Sequence, residues 1–543
     1  MRKIVSSLTA TAIFALAAIS CSHKPSEPQN RAITPGELRD KIAGGWAGKI
    51  IGVTYGGPTE FRAQGKMYED SIHWKPSDAA GSLGQDDIYV QLTFMMAMDQ
   101  YGIDAPAKKF QEMMAKAGYT LWHANMQARK NYFDSIFPPA SGAPEHNLHA
   151  DDIDFQIEAD YLGFMCPAMP NTAAEMANKI GHIMNFGEGL YGGIFVAALY
   201  SEAFFETDVD NVVNKALLSV PSESDYAKIV SDVILLHKQY PTNWRDAWQE
   251  LQNKWATVDI CGAGSPFNID AKLNGAYIVM GLLYGDGDPL KTLEISTRCG
   301  QDSDCNPSNA LAVLGIMKGL SNLPVDMQEG VKAIADSQFI FTNYSFNKAV
   351  ENTFNYSLQL IAKNGGTITD SLISIVAQIP QPAAFEDAFP NLVLDTTYVA
   401  LESGAWQFKG DWKTFKRIPW GGTQAVDDTK MTCQANAEAS LSFEGTGIAL
   451  VGNWYKNGGK ADVYIDSKLV KTIDTYYFYA DQQHDWVQMF HILNLTPGKH
   501  TLRVVVTGTK RPESEGTAIY LRSAQVFKTE PKTSENHKFS FQQ

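Results

Sequence analysis

Apolar and polar positions follow two different periods along this chain, and the change of period divides it. From Thr34 to about Ala377 the apolar residues recur at helical spacing. Thr34, Pro35 and Glu37 form a capping box with proline at the first helical position, which predicts a helix start. Leu38, Ile42 and Trp46 follow on one face. Gly44, Gly48 and Gly52 repeat every fourth residue, so one side of this helix is bare backbone on which another helix can approach closely. Such a stripe also marks dimerising membrane helices. Here Arg39, Asp40, Lys41 and Lys49 argue for a soluble packed core. A second helix follows Asp87, with Ile88, Leu92, Met95 and Met96 in register and Gly102 as its stop. Further periodic segments lie around Ile157–Leu162, Phe195–Phe204, Val230–Leu236 and Tyr277–Leu283. Alternation of the strand type is sparse, so this half is predicted to be an all-α domain.

Beyond about Phe385 the period becomes two. Ala461, Val463 and Ile465 alternate before an Asp466-Ser467 turn. Leu502, Val504 and Val506 alternate after a Pro497-Gly498 turn, and Ile519 and Leu521 do so again. Short strands between turns predict an all-β jelly roll or β-sandwich. Pro380 and Pro382 mark the join.

The start of the chain reads as an export leader. Arg2 and Lys3 precede an apolar run from Leu8 to Ile19, and small residues lead to Cys21. The run is short for a bilayer span. The expectation is a lipoprotein leader at 1–21, with plain cleavage as the alternative, then a polar tether at 22–33. The helical domain takes 34–377, a linker 378–384, the β-domain 385–528 and a loose tail 529–543. An exported lipoprotein of this kind belongs in the periplasm or outer membrane of a Gram-negative bacterium, with a lipid on Cys21 as its only membrane contact. At 543 residues the chain has room for several domains. Its net charge of −15 repels phosphate, which sets nucleic acid aside. Besides Cys21 there are Cys166, Cys261, Cys299, Cys305 and Cys433, with no CxxC pair to suggest zinc and no assignable disulfide.

Two acidic clusters carry the candidate chemistry. Gly84-Gln85-Asp86-Asp87 precedes one helix. Gly300-Gln301-Asp302-Ser303-Asp304-Cys305-Asn306 precedes another, for which Asn306 is the expected N-cap and Pro307 the first helical residue. Acidic residues before helices commonly serve as caps. A cap needs one good acceptor, however, and each cluster offers two carboxylates. Four carboxylates from two helix starts can converge on a hard cation, which prefers oxygen ligands. A third element, Gly56-Gly57-Pro58-Thr59-Glu60-Phe61, reads as a tight loop that delivers Glu60, either to solvent or as an acid/base beside such a cation.

Together these pieces resemble the ADP-ribosylglycohydrolase family over roughly residues 34 to 350. The glycine-spaced helix ending at Glu60, the paired aspartates at Asp86 and the Gly300–Asn306 run match its motifs in order. Asp154 through Pro167 and Asn185 through Gly193 resemble a bacterial branch of it. The resemblance implies an all-α fold with one or two Mg²⁺, or Mn²⁺ or Ca²⁺ in their place. Carried over by position, it implies Asp86, Asp87, Asp302 and Asp304 as metal ligands. Gln85 and Cys305 stand where the family has threonines and are carried over as further candidate ligands, Gln85 through its amide oxygen, although a thiol suits Mg²⁺ poorly. It implies Glu60 and Asp87 as catalytic carboxylates. Asp154, His182, Asn185, Gly187 and Tyr191 would then face the substrate.

The β-domain resembles galactose-binding-like modules appended to bacterial glycosidases. Trp406, Trp412, Trp420, Trp454, Tyr476, Tyr477 and Tyr479 are its candidate sugar platforms, although core packing accounts for most such residues. The expected function is metal-dependent hydrolysis of a glycosidic bond in a glycan or glycoside outside the cytoplasm. The alternatives are an extracytoplasmic ADP-ribosyl hydrolase and a non-enzymatic glycan-binding lipoprotein.

Overall fold

The structure is a computed structural model that describes residues 30–256, 266–418 and 423–531. The leader, Cys21, Cys261, Trp420 and the tail from residue 532 lie outside the described residues. The predicted helix start forms: Thr34 caps a helix at Pro35–Gly56, its Oγ1 accepting from Glu37 N at 3.1 Å. The glycine stripe has a partner, the helix Cys305–Lys318. A Cβ placed on Gly48 would lie 2.5 Å from Ala312 Cα, and one on Gly52 would lie 2.2 Å from Ser308 Cα. Backbone therefore packs on backbone along the whole contact, and Gly56 extends it to the Ser303 carbonyl. The opposite side of the glycine helix buries Trp46, whose Nε1 donates to Thr353 Oγ1 at 3.1 Å.

The second predicted helix runs Asp86–Tyr101 and ends at Gly102 with φ 86°, a conformation that favours glycine. The Ile157–Leu162 segment is two short helices, Asp154–Glu158 and Asp160–Phe164, broken at Ala159. Helices also form at Glu188–Ala203, Asp225–Gln239 and Ala271–Gly285, as the periodicity predicts. Among the described residues no helix is long and apolar enough to cross a membrane.

One small sheet departs from the all-helical expectation. Asn30–Ile33, expected in the tether, pairs antiparallel with Ile373–Val376, which also pairs with Thr367–Ile368. The chain leaving this sheet is pinned rather than free. Gln378 N donates to Ala168 O at 2.9 Å, and Ala383 N to Ser219 O at 3.0 Å.

The β-domain is two antiparallel sheets. One runs in the order Lys468–Asp474, Lys460–Ile465, Gly498–Val506, Glu438–Gly445, Trp406–Lys409. The other runs His484–Ile492, Gly447–Trp454, Ile519–Pro531, Val426–Thr432, Lys413–Arg417, with Asn391–Ala400 also on Ile519–Pro531. Asp466 and Ser467 both take positive φ, 49° and 70°, the geometry of a tight two-residue hairpin. Ile519–Pro531 does not alternate as expected. Its first nine positions are all buried, because the strand is central and covered on both faces, and it runs on past residue 528.

The two domains are clamped together. Phe133 stacks on Tyr479 at 3.8 Å between ring centres, and Arg511 reaches Asp134 at 2.9 Å. His491 Nε2 lies 2.6 Å from Pro144 O, and Leu148 packs with Ala449 and Phe527.

Because Gly48 sits against backbone and Gly36 faces open space, their substitutions diverge. Gly48→Leu lowers unfolding stability by at least about 1–3 kcal/mol, the range for overpacking. Gly36→Ala is neutral or raises it by up to about 1 kcal/mol. Urea unfolding of the two variants checks this, and equal midpoints contradict the packing account.

Candidate active site

Glu60 leaves the glycine helix through a single turn at Gly57–Thr59. Thr59 Oγ1 and Ser303 Oγ share a 2.7 Å hydrogen bond. Phe61 N donates to Gln301 O at 3.0 Å, and Gln301 N donates to Ala63 O at 2.9 Å. The loop carrying Glu60 is thus stitched to the turn carrying Asp302. That turn enters its helix earlier than the sequence predicts. Asp304 is the N-cap, its Oδ1 accepting from Cys305 N at 2.9 Å, and Asn306 N already bonds to Asp302 O at 3.2 Å. Asn306 is therefore inside the helix, and its amide donates to Asn274 Oδ1 at 3.0 Å.

The two acidic clusters meet. Glu60, Asp302 and Asp304 present ligand atoms within 4.8 Å of one another, and so do Asp87, Asp304 and Cys305. Asp304 belongs to both groups. Asp302, Asp304 and Asp87 are buried, at 4%, 2% and 1% exposure, whereas Glu60 keeps an open side. Protein crowds the other side of Glu60. That crowding, with Asp304, Asp86 and Asp87 near, pushes its carboxyl up to about 8. Burial and neighbouring carboxylates also raise Asp86, Asp302 and Asp304 above the usual range. Asp302 Oδ1 is buried without a hydrogen-bond partner among the described residues. A clustered set of carboxylates with an unspent oxygen fits a hard divalent cation.

The Asp87 side differs. Asp87 Oδ1 lies 2.9 Å from Lys49 Nζ, and its Oδ2 accepts from Cys305 Sγ at 3.1 Å. Lys49 is wholly buried and also contacts Asp160 Oδ2 at 3.3 Å. Burial works against its charge, yet Asp160 and Asp87 hold it above the ordinary lysine range. Burial pushes the Cys305 thiol up, and its sulfur is a poor ligand for a hard cation. With Asp87 already paired to an ammonium, the donor set suits one cation at Asp302 and Asp304, on the side open to Glu60, better than two. Gln85, expected as a ligand, is the half-buried residue before the Asp86 helix, and its Nε2 lies beside the Gly57 turn.

The expected substrate residues divide. Asp154 is near: it accepts from Asn125 N at 3.0 Å, and burial first of all pushes it up to about 6. Asn185 is buried and positions the loop before it, donating to Ala150 O at 3.0 Å and Asp152 O at 2.8 Å while accepting from Phe155 N at 2.9 Å. His182, Gly187 and Tyr191 grip the interdomain segment instead. His182 Nε2 lies 3.1 Å from Glu386, Gly187 N donates to Glu386 at 3.4 Å, and Tyr191 OH donates to Ala384 O at 3.1 Å. His182 Nε2, Gly187 N and Tyr191 OH are occupied by residues 384–386, a long-range contact that no local pattern predicts.

Several residues beside the site were not anticipated, among them His123, His149, Lys49 and Glu158. His149 and His123 place Nδ1 2.7 Å and 3.3 Å from Asp152 Oδ2. His123 stacks on Phe267 at 5.9 Å, and Phe267 meets Phe61, the neighbour of Glu60, at 5.0 Å. The run His149-Ala150-Asp151-Asp152 was the available signal, as was Lys49, a lone charge among glycines and apolar residues. Glu158 is also buried nearby, accepting from Asn125 Nδ2 and raised well above its usual range by burial and Asp154. Among the described residues Cys166, Cys299, Cys305 and Cys433 are free thiols.

The family model for ADP-ribosylglycohydrolase matches residues 34–350. Over 98 residues the chain is 32% identical to an A type blood alpha-D-galactosamine galactosaminidase of Flavonifractor plautii, spanning 18% of this chain and 8% of that protein. Among solved structures, an ADP-ribosylglycohydrolase-related protein complex is similar at 13% identity and TM-score 0.42, covering 60% of this chain and 99% of that one. A family two carbohydrate esterase from Cellvibrio japonicus is similar at 18% identity and TM-score 0.18, over 26% of this chain and 36% of that one.

The carboxylate cluster sets a pH signature in chelator-treated protein. Between its unperturbed value of 4.5 and about 8, folded Glu60 holds a proton that the unfolded chain has released. Unfolding stability therefore falls as pH rises through that window. Asp304→Asn flattens the fall and raises the melting temperature of the chelated protein at pH 8. Thermal melts across that range check this, and a wild-type profile that rises with pH contradicts it.

Proposed function

Because the chain belongs to the ADP-ribosylglycohydrolase family, we propose that it hydrolyses a glycosidic bond with the help of one divalent cation held by Asp302 and Asp304. The observation that carries the reading is the sharing of Asp304 between carboxylates from distant parts of the chain. A cation bound there supplies Lewis acidity toward water and sugar hydroxyls and offsets the repulsion among the carboxylates. Mg²⁺, Mn²⁺ and Ca²⁺ are the candidates.

The chain's own residues supply the rest. Glu60 lies on the open side of the cluster, within 4.8 Å of Asp302 and Asp304, which suits a group that takes and returns a proton there. Lys49 and Ser308 fix Asp87, whose Oδ1 accepts from Ser308 Oγ at 3.3 Å, so this carboxylate orients the Cys305 turn. Phe61 and Phe267 form an apolar wall beside Glu60 against which a sugar face can rest.

The substrate in this proposal is a glycan or glycoside met outside the cytoplasm, in keeping with the leader read at 1–21 and the lipid expected on Cys21. The partial identity to a galactosaminidase makes amino sugars part of the substrate set to be assayed. The family name favours a second reading, release of ADP-ribose from a modified protein.

Sugar release from aryl glycosides, set against ADP-ribose release from modified protein, separates the two readings. On the substrate that turns over, Glu60→Gln lowers kcat by at least about 100-fold while the melting-temperature rise on adding Mg²⁺ or Mn²⁺ persists. Asp302→Asn loses both. Full activity of Glu60→Gln contradicts its role, and loss of the cation effect in that variant makes Glu60 a ligand instead.

A further inference from the structure

A cleft of about 860 Å³ lies between the domains, lined by Thr120 and Trp122 of the helical domain and by residues of the β-domain. That volume falls within the usual range for small-ligand sites, roughly 300–1,000 Å³. Its aromatic residues are Trp122, 46% exposed, and the group Phe415, Tyr455 and Tyr520, whose rings pack on one another. Amide side chains of Asn457, Gln482 and Gln483 share the lining. The charged groups at the cleft are already matched: Lys456 with Glu515 at 3.3 Å, and Asp485 with Arg417 at 3.0 Å. A lining of aromatic faces and amides with balanced charge suits a neutral, hydroxyl-rich ligand and offers little to a phosphate or a polyanion.

A chain of ring contacts leads from the residue after Trp122 toward the acidic cluster. Trp122 directly precedes His123, which stacks on Phe267, which meets Phe61 beside Glu60. We propose that this interdomain cleft is an oligosaccharide subsite, in which the β-domain and Trp122 together hold the part of the glycan that extends away from the bond cleaved at Glu60. The inference rests on the glycosidase reading for its direction, and it makes the β-domain part of the substrate site rather than an independent anchor. Its aromatic residues differ from those the sequence suggested. Trp406, Trp454 and Tyr477 are buried, Trp412 donates to Glu438 O at 3.0 Å, Tyr479 stacks on Phe133, and Tyr476 meets Tyr479 edge-on at 5.8 Å. They are spent on packing.

Binding is tested on the full chain carrying Glu60→Gln, so that no turnover is required, by calorimetry with short oligosaccharides of xylose, arabinose, galactose and galactosamine. The expected result is binding of at least one series. Trp122→Ala weakens it by at least about fivefold, and Trp122→Phe restores most of it. Binding that is indifferent to Trp122→Ala overturns the proposal. So does the absence of binding by every series, or binding of neutral extended peptides in their place. The glycosidase reading fails separately, if no sugar is released from aryl glycosides by the wild-type chain.

Discussion

Contact between bare backbones is the constraint on which the rest of this structure depends. The glycine helix and the Cys305–Lys318 helix approach so closely that a single methyl group at Gly44, Gly48 or Gly52 would strike the other helix's main chain, and one at Gly56 would strike the turn just before it. That contact sets the depth at which the Asp302 turn lies against the Glu60 loop. It forces carboxylates together in a buried place, where each raises the proton affinity of the others. Such an arrangement is unfavourable alone and persists because the packing around it is extensive. A cation is the natural counterpart of that stored repulsion.

Much of this was legible in the sequence. The spacing of glycines predicted a close helix partner, and the helix starts at Asp86 and after Asp302 were marked by paired carboxylates. The identity of the partner helix was not legible, because glycine periodicity states that something approaches and not what. The cap at Asp304 was missed because asparagine followed by proline is a strong local start signal, while the tertiary fold closed the turn earlier. His182 was expected at a sugar as the counterpart of a family histidine, and Tyr191 because it falls within the Asn185–Gly193 run. The structure uses them to hold Glu386 and Ala384, a long-range contact that no local pattern encodes. Lys49 was read with its charged neighbours as a mark of solubility, yet it is the buried counter-ion of Asp87 and Asp160.

The domain join bears on function as well as architecture. Residues 384–388 are gripped along the helical domain, and the Phe133–Tyr479 stack and the Arg511–Asp134 pair fix the sandwich in place. A sheet pair held this firmly fixes Phe415 and Tyr455 of the β-domain at the same cleft as Trp122. Ile519–Pro531 illustrates the cost in sequence readability. A strand covered on both faces loses the alternation that marks surface strands, and only its turn signals remain.

The account is tested most directly by locating a cation. Crystals grown with Mn²⁺ and measured for anomalous scattering should show one peak bound by Asp302 and Asp304, on the side open to Glu60. No peak at those two aspartates, or an ion bound by Asp87 without Asp302, would contradict it.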